Sequence, residues 1–125
     1  MAKLDIESTE DTPRVLFDAE GNVFEISGRS LPEDAPSFYG PILDWLDEYY
    51  GGTPLPTTTF DFKLEYFNTA SSKLILDVLM KLEEHHTAGN DSLIRWHYDE
   101  DDEDMQEAGE EFADLVEVPF EHIEQ

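Results

Sequence analysis

The segment from Phe60 to Tyr66 alternates strictly between apolar and polar side chains. Successive side chains of a β-strand point to opposite faces, so this pattern predicts a strand with one apolar and one polar face. Such a strand belongs to a sheet that is buried on one side and meets water on the other. We therefore expect helices to cover the apolar face only. The apolar set is Phe60, Phe62, Leu64 and Tyr66, and the polar set is Asp61, Lys63 and Glu65.

Hydrophobic periodicity and turn residues predict the other elements. Pro41 falls inside the first predicted helix, where it either kinks the helix or marks its true start. Pro119 cannot donate to a strand ladder, which places the last strand at an edge or ends its pairing there. In chain order we predict a hairpin of strands 14–17 and 23–26, a loop at 28–36, a helix around 38–49, a linker at 53–58, the strand at 60–66, a helix at 69–86, a strand at 93–98, a helix ending near 114 and a strand at 116–120.

After the hairpin, helices and strands alternate, which favours parallel pairing through helical crossovers. We therefore predict an α/β fold whose mixed sheet has about four to five strands, an N-terminal hairpin and helices mainly on one face. The length of 125 residues matches a single domain spanning residues 1–125. Residues 1–12 are polar and lack a clear period, so we expect them to be loosely ordered.

The chain has 7 basic and 31 acidic residues, which give a formal net charge of −24. Such a surface repels nucleic acid and anionic membranes, and it favours basic proteins or cations as partners. Disorder is not indicated, because 39% of the residues are apolar, 12% are aromatic, and the apolar residues fall in periodic blocks. With no cysteine, no signal peptide and no apolar run of membrane-spanning length, the sequence predicts a cytoplasmic protein.

Hydroxyl-bearing residues cluster where the alternating strand gives way to the strongest predicted helix, in the segment Asn68-Thr69-Ala70-Ser71-Ser72. In the structural interpretation, Asn68 or Thr69 simply caps the helix. In the functional interpretation, the backbone N–H groups and the helix dipole favour a phosphate at this place, so a phosphothreonine is accepted without loss of the fold. The residues alone leave both interpretations open.

From about Leu4 onward, most of the chain resembles the SiaC-type regulatory phosphoproteins. The resemblance includes the segment Phe60–Lys73 with the helix that follows it, and the loop Ser30-Leu31-Pro32-Glu33. It also includes Arg95-Trp96-His97-Tyr98, Gly109-Glu110-Glu111-Phe112 and Pro119-Phe120. This family is similar in fold to the STAS domains of anti-anti-sigma factors, so the resemblance implies a STAS-like single domain.

The resemblance also implies a phosphorylation switch. In the family, a threonine in an Asn-Thr-Ser-Ser-type motif is phosphorylated by a dedicated serine/threonine protein kinase with a histidine-kinase-like ATPase fold, and a PP2C-type phosphatase removes the phosphate. The unphosphorylated form binds an effector, a diguanylate cyclase, and promotes its activity. The matching threonine is Thr69, although Ala70 stands where a serine is common. The expected partner-binding surface comprises Asn68, Thr69, Ala70, Ser71, Ser72, Ser30 and Glu33.

Other chemistry has weaker support in the sequence. The acidic run 99–104 matches a calcium loop poorly, because Asp104 occupies the position that requires glycine. The histidines lack paired ligands, and there is no glycine-rich phosphate loop or nucleophile elbow, so we expect no metal, no cofactor and no catalytic residue. Two alternatives stay open: an acidic module that masks a basic protein or mimics nucleic acid without a covalent switch, and an enzyme built on clustered carboxylates.

Overall fold

A computed structural model describes residues 1–125 as one six-stranded sheet and three helices. The strands are β1 (Leu4–Ile6), β2 (Arg14–Asp18), β3 (Val23–Ser30), β4 (Thr58–Phe67), β5 (Ser92–Tyr98) and β6 (Phe120–Glu124). The helices are α1 (Ala35–Gly51), α2 (Thr69–Thr87) and α3 (Glu103–Leu115).

The order of the strands across the sheet is their order along the chain. The first three strands pair antiparallel. The pairs β3–β4, β4–β5 and β5–β6 are parallel, and one helix connects the two strands of each pair. The predicted α/β class with a mixed sheet and an N-terminal hairpin is therefore confirmed.

The two faces of β4 separate largely as its alternation predicts. Phe60, Phe62 and Leu64 are buried in the hydrophobic core, to which all three helices contribute side chains. Lys63 on the other face is exposed. Tyr66 is the exception in the apolar set, because 47% of it is exposed near the end of the strand.

The prediction that residues 1–12 are loosely ordered is wrong for Leu4–Ile6, which form the edge strand β1. Leu4 pairs with Phe17 and Ile6 pairs with Val15 in an antiparallel ladder. Both Leu4 and Ile6 pack against the core, while the Asp5 carboxylate lies 3.1 Å from the Arg14 guanidinium. Three residues are too few to establish a period in the sequence.

The C-terminal strand is displaced from its predicted position at 116–120, since β6 begins only at Phe120. Val116 and Val118 are buried in the core instead. Pro119 lies directly before the strand, and its carbonyl accepts a hydrogen bond from the Ile94 N–H at 2.9 Å. β6 is an edge strand, which agrees with the placement expected from Pro119.

Helix α1 begins at Ala35, so the alternative in which it starts at Pro41 is wrong. Asp34 caps the helix, and its carboxylate accepts a hydrogen bond from the Ser37 backbone N–H at 3.2 Å. Pro41 lies inside the helix and is exposed. The cap and the buried helical face therefore define α1 despite the missing N–H of Pro41.

Trp96 on β5 fixes the position of α3. Its fully buried ring stacks on Phe62, with ring centroids 5.7 Å apart. Its indole N–H donates to the carbonyl of Met105 at 3.0 Å. Gly109 lies one turn later on α3 and faces the same ring, where a Cβ atom would stand 2.7 Å from the indole nitrogen. The missing side chain at Gly109 thus permits close approach of α3 to the sheet.

We predict that Gly109→Ala lowers the free energy of unfolding by about 1–3 kcal/mol, because Trp96 is buried and hydrogen-bonded and cannot yield to the added methyl. Gly51→Ala, at the last residue of α1, is the matched control, since nothing lies within 4 Å of a Cβ there. It should leave stability unchanged or raise it by up to about 1 kcal/mol. Urea unfolding followed by circular dichroism measures both variants. Equal effects of the two substitutions would contradict this account of the α3 contact.

Candidate functional site

The candidate site lies where β4 ends and α2 begins. Asn68 is the N-cap of α2, and its side-chain oxygen accepts a hydrogen bond from the Ser71 backbone N–H at 2.9 Å. Thr69 is the first residue of the helix and is exposed, and its hydroxyl makes no hydrogen bond within the protein. Of the two capping residues that the sequence allows, Asn68 has the role. The Thr69 hydroxyl is therefore free and faces solvent.

Beneath this exposed turn lies a buried chain of hydroxyl groups. The hydroxyls of Tyr39 and Ser30 are 2.7 Å apart, and Ser30 Oγ donates to Ser71 Oγ at 2.8 Å. Ser71 Oγ in turn donates to the Ser30 carbonyl at 2.9 Å. Because the one Ser30 hydroxyl hydrogen goes to Ser71, Tyr39 must donate to Ser30. Burial raises the pKa of Tyr39 above its usual value, which keeps that donor protonated.

A backbone hydrogen bond closes the same junction. The Asn68 N–H donates to the Ser30 carbonyl at 3.1 Å, so this carbonyl accepts from both Asn68 and Ser71. Ser30 and Phe67 are paired residues at the ends of β3 and β4. The end of β3, the end of β4 and the first turn of α2 are thus joined by buried polar contacts, which fix the place at which Thr69 is presented.

The residues of the predicted partner-binding surface differ widely in exposure. Thr69, Ala70 and Glu33 are exposed, and Asn68 and Ser72 are half-buried. Ser30 and Ser71 are fully buried. Glu33 lies in the connection between β3 and α1, and no hydrogen bond joins it to α2. In this conformation the hydroxyls of Ser30 and Ser71 support the surface from below and do not form part of it.

Sequence reasoning missed the groove beside Thr69. It lies between α2 and α3, has a volume of about 430 Å³ and is lined mostly by apolar side chains. Thr69 and Ser72 line its α2 side, and Phe112 lines its α3 side. Lys73, one turn beyond Thr69, also lines the groove and has no ion-pair partner. The helical spacing of Ala108, Phe112 and Leu115 predicts an apolar stripe on α3, but it does not indicate that α2 faces this stripe.

The acidic run and the histidines have structural contacts. Asp102 caps α3, where its carboxylate accepts from the Met105 N–H at 2.9 Å. His97 is buried, with Nε2 2.8 Å from the Asp61 carboxylate. His85 stacks on Tyr50 with ring centroids 4.4 Å apart. No group of three or more His, Cys, Asp or Glu residues is arranged to hold a metal ion.

None of the helices combines the length and the apolar character needed to cross a membrane.

We predict that Ser71→Ala lowers the free energy of unfolding by about 1–3 kcal/mol, because it leaves the buried Ser30 hydroxyl without an acceptor. Ser72→Ala is the matched control, since Ser72 is half-buried and its hydroxyl makes no hydrogen bond within the protein. It should change stability by no more than about 0.5 kcal/mol. Chemical denaturation compares the two variants. If both behave alike, the buried hydroxyl chain does not stabilise the junction.

Comparisons with known proteins agree with this architecture. The chain is 34% identical over 120 residues to an uncharacterised protein of Pseudomonas aeruginosa (strain UCBPP-PA14). The alignment covers 96% of this chain and 94% of that protein. It superimposes on SiaC of Pseudomonas aeruginosa with a TM-score of 0.91 and 31% identity over 100% of both chains.

A further match is to a crystal structure of the diguanylate cyclase SiaD in complex with its activator SiaC, also from Pseudomonas aeruginosa. The TM-score is 0.91 and the identity 32%, over 98% of this chain and 99% of the matched chain. The model of the SiaC family of regulatory phosphoproteins matches residues 6–125. A regulatory and non-catalytic role follows from the family. The resemblance inferred from the sequence is thus confirmed, and the chain belongs to the SiaC family of regulatory phosphoproteins.

Proposed function

We propose that this protein binds and activates a diguanylate cyclase, and that phosphorylation of Thr69 prevents that binding. A dedicated serine/threonine protein kinase with a histidine-kinase-like ATPase fold adds the phosphate, and a PP2C-type phosphatase removes it. The observation that supports this proposal most directly is the exposed Thr69 hydroxyl at the first position of α2, which has no hydrogen bond of its own. The SiaC–SiaD complex of the relative supports the choice of a cyclase as effector.

The surroundings of Thr69 are suited to a phosphate. Because Asn68 caps the helix, modification of Thr69 removes no capping hydrogen bond. The first turn of a helix carries partial positive charge, which stabilises an anion there by about 0.3–1 kcal/mol on an exposed surface. Lys73 lies four residues later on the same side of α2 and has no ion-pair partner. Phosphorylation is therefore expected to leave the fold intact.

The phosphate must act locally to control binding. It adds about 1.5–2 negative charges, which is a small change against a net charge of −24. An unpaired dianion buried in an interface, however, costs several kcal/mol. Each increment of about 1.4 kcal/mol corresponds to a tenfold change in affinity. Local occlusion by charge is thus sufficient to release a partner without refolding.

The proposed division of labour leaves all catalysis to the partners. The kinase brings ATP and magnesium, the phosphatase hydrolyses the phosphate, and the cyclase makes the second messenger. This chain contributes a docking surface around Asn68, Thr69, Ala70 and Ser72, which the buried Ser30 and Ser71 hold in place. Glu33 extends that surface only if a partner spans from α2 to the β3–α1 connection.

We predict that Thr69→Glu weakens binding of the diguanylate cyclase encoded in the same genome by at least about tenfold. Its melting temperature should stay within about 2 °C of the wild type. Thr87→Glu is the matched control: it makes the same charge change at an exposed site about 27 Å away, at the other end of α2. Isothermal titration calorimetry measures the affinities, and Thr69→Ala should bind like the wild type.

Two results would count against the proposal. One is cyclase binding that Thr69→Glu leaves unchanged, and the other is a Thr69→Glu variant that unfolds. The acidic-module alternative gives a different outcome, because such a complex should dissociate at high salt and be indifferent to Thr69. Phosphopeptide mass spectrometry on protein purified from its native cells tests whether Thr69 is the modified residue.

A further inference from the structure

A polar cleft lies on the face of the sheet that points away from the hydrophobic core. It is located at the carboxyl ends of β3, β4 and β5, and its volume is about 350 Å³. Pockets for small molecules begin at about 300 Å³. The cleft is therefore large enough for a small ligand, and its lining is suited to a charged one. The acidic and basic residues that line it are Arg29, Lys63, Glu65, Asp99 and Asp102.

The charges are distributed unevenly across the cleft. Arg29 and Lys63 lie on β3 and β4, whereas Asp99 and Asp102 lie in the connection that follows β5. β4 lies between β3 and β5, so the backbones of these two strands are about 10 Å apart. A ligand that contacts both sides of the cleft therefore needs a negative group at one end and a positive group at the other.

Arg29 is the free positive group of the cleft. A shift in register between Gly28 and Arg29 pairs Arg29 with Tyr66, and its guanidinium lies over the Tyr66 ring, 5.6 Å from the centroid. It is exposed and has no ion-pair partner, whereas the Lys63 ammonium lies 2.8 Å from the Glu25 carboxylate. A guanidinium that is held on an aromatic ring and has no carboxylate partner is suited to bind one, through two parallel hydrogen bonds.

Free carboxylates also line the cleft. Asp99 and Glu65 are exposed, and neither side chain makes a hydrogen bond or an ion pair within the protein. Asp102 is half-buried and uses one carboxylate oxygen to cap α3. His97 adds no free group, because both of its ring nitrogens have partners. The carboxylates outnumber the one free guanidinium, so the cleft favours a ligand with a net positive charge.

We propose that this cleft binds a free cationic amino acid, with its carboxylate on Arg29 and its side-chain cation against Asp99 and Glu65. An amino acid with an uncharged side chain carries both of its charges on one carbon, so it does not reach both sides of the cleft. Arginine, lysine and ornithine have a second cation at the end of a chain of methylene groups. They are also net cations, which a protein with a net charge of −24 attracts.

The cleft is separate from the surface around Thr69. No residue lines both the cleft and the groove between α2 and α3. The proposed ligand site is therefore independent of the proposed phosphorylation switch, and each can be tested without the other.

Three ligands that differ by one group test the proposal on the full, unphosphorylated chain. Arginine has a carboxylate and a guanidinium, agmatine lacks the carboxylate, and citrulline has an uncharged urea group in place of the guanidinium. At about 150 mM salt, arginine should bind at least about tenfold more tightly than either analogue. Non-specific attraction to the acidic surface instead favours agmatine, which has the higher positive charge. NMR titrations measure the affinities, and the amide shifts should change at the ends of β3, β4 and β5.

A first pair of variants tests the carboxylate contact. Arg29→Gln should weaken the binding of arginine at least about tenfold. It should not weaken the binding of agmatine, because agmatine has no carboxylate for Arg29 to contact. Lys3→Gln is the matched control, since it removes the same charge at an exposed site outside the cleft, and it should bind arginine like the wild type.

A second pair tests the contact with the side-chain cation. The double substitution of Asp99→Asn and Glu65→Gln should weaken the binding of arginine at least about tenfold. Asp44→Asn combined with Glu48→Gln is the matched control, because it removes two carboxylates at exposed sites on α1. All of these side chains are exposed, so melting curves should show that each variant is folded.

Agmatine that binds as tightly as arginine would overturn the proposal, as would an Arg29→Gln variant with wild-type affinity for arginine. Amide shifts spread evenly over the acidic surface, or no shift with arginine at all, would also contradict it. Neither the cyclase nor a phosphate is present in this test, so its failure leaves the Thr69 switch unaffected. Conversely, a cyclase that ignores Thr69→Glu does not change the result expected with arginine.

Discussion

The start of α2 is held against the end of β3 by hydroxyl groups that have no access to water. Ser30, Tyr39 and Ser71 satisfy one another within this chain, and the Ser30 carbonyl accepts two hydrogen bonds. A buried polar group without a partner is costly, so these contacts specify one arrangement of the junction. The orientation of α2 on the sheet, the exposure of Thr69 and the opening of the groove toward α3 all depend on that arrangement.

Although the protein has many carboxylates, the electrostatic effect of a charge at the start of α2 is local. Of its seven basic residues, four are in ion pairs, namely Arg14, Lys63, Lys81 and Arg95. Lys73 lacks an ion-pair partner and lies one turn from Thr69. Solvent and salt screen distant charges over roughly 8–10 Å. A charge added at the start of α2 therefore acts mainly on groups within that distance, despite the large net charge.

Much of the fold could be predicted from local patterns, and the errors have physical reasons. The alternation in β4 and the apolar stripe of α2 predicted both elements to within about two residues at each end. β1 was missed because a three-residue strand has no period and depends on β2 for its hydrogen bonds. β6 was placed too early because the alternating Val116 and Val118 resemble strand residues. Their side chains are instead buried in the core, before the strand begins. Pro41 weakened the prediction of where α1 starts, since local propensity does not include the stabilisation from packing.

The sequence by itself determined a one-sided sheet and a threonine at the beginning of the helix after its central strand, because both follow from the spacing of neighbouring residues. It did not indicate which of two nearby hydroxyls, that of Thr69 or that of Ser71, is exposed to solvent. Only the tertiary structure made one exposed and the other buried, by bringing Ser30 from 41 residues away against the first turn of α2. The groove was likewise decided by the placement of α3 relative to α2. Local periodicity defines which side chains share a face, but burial depends on which distant element covers that face.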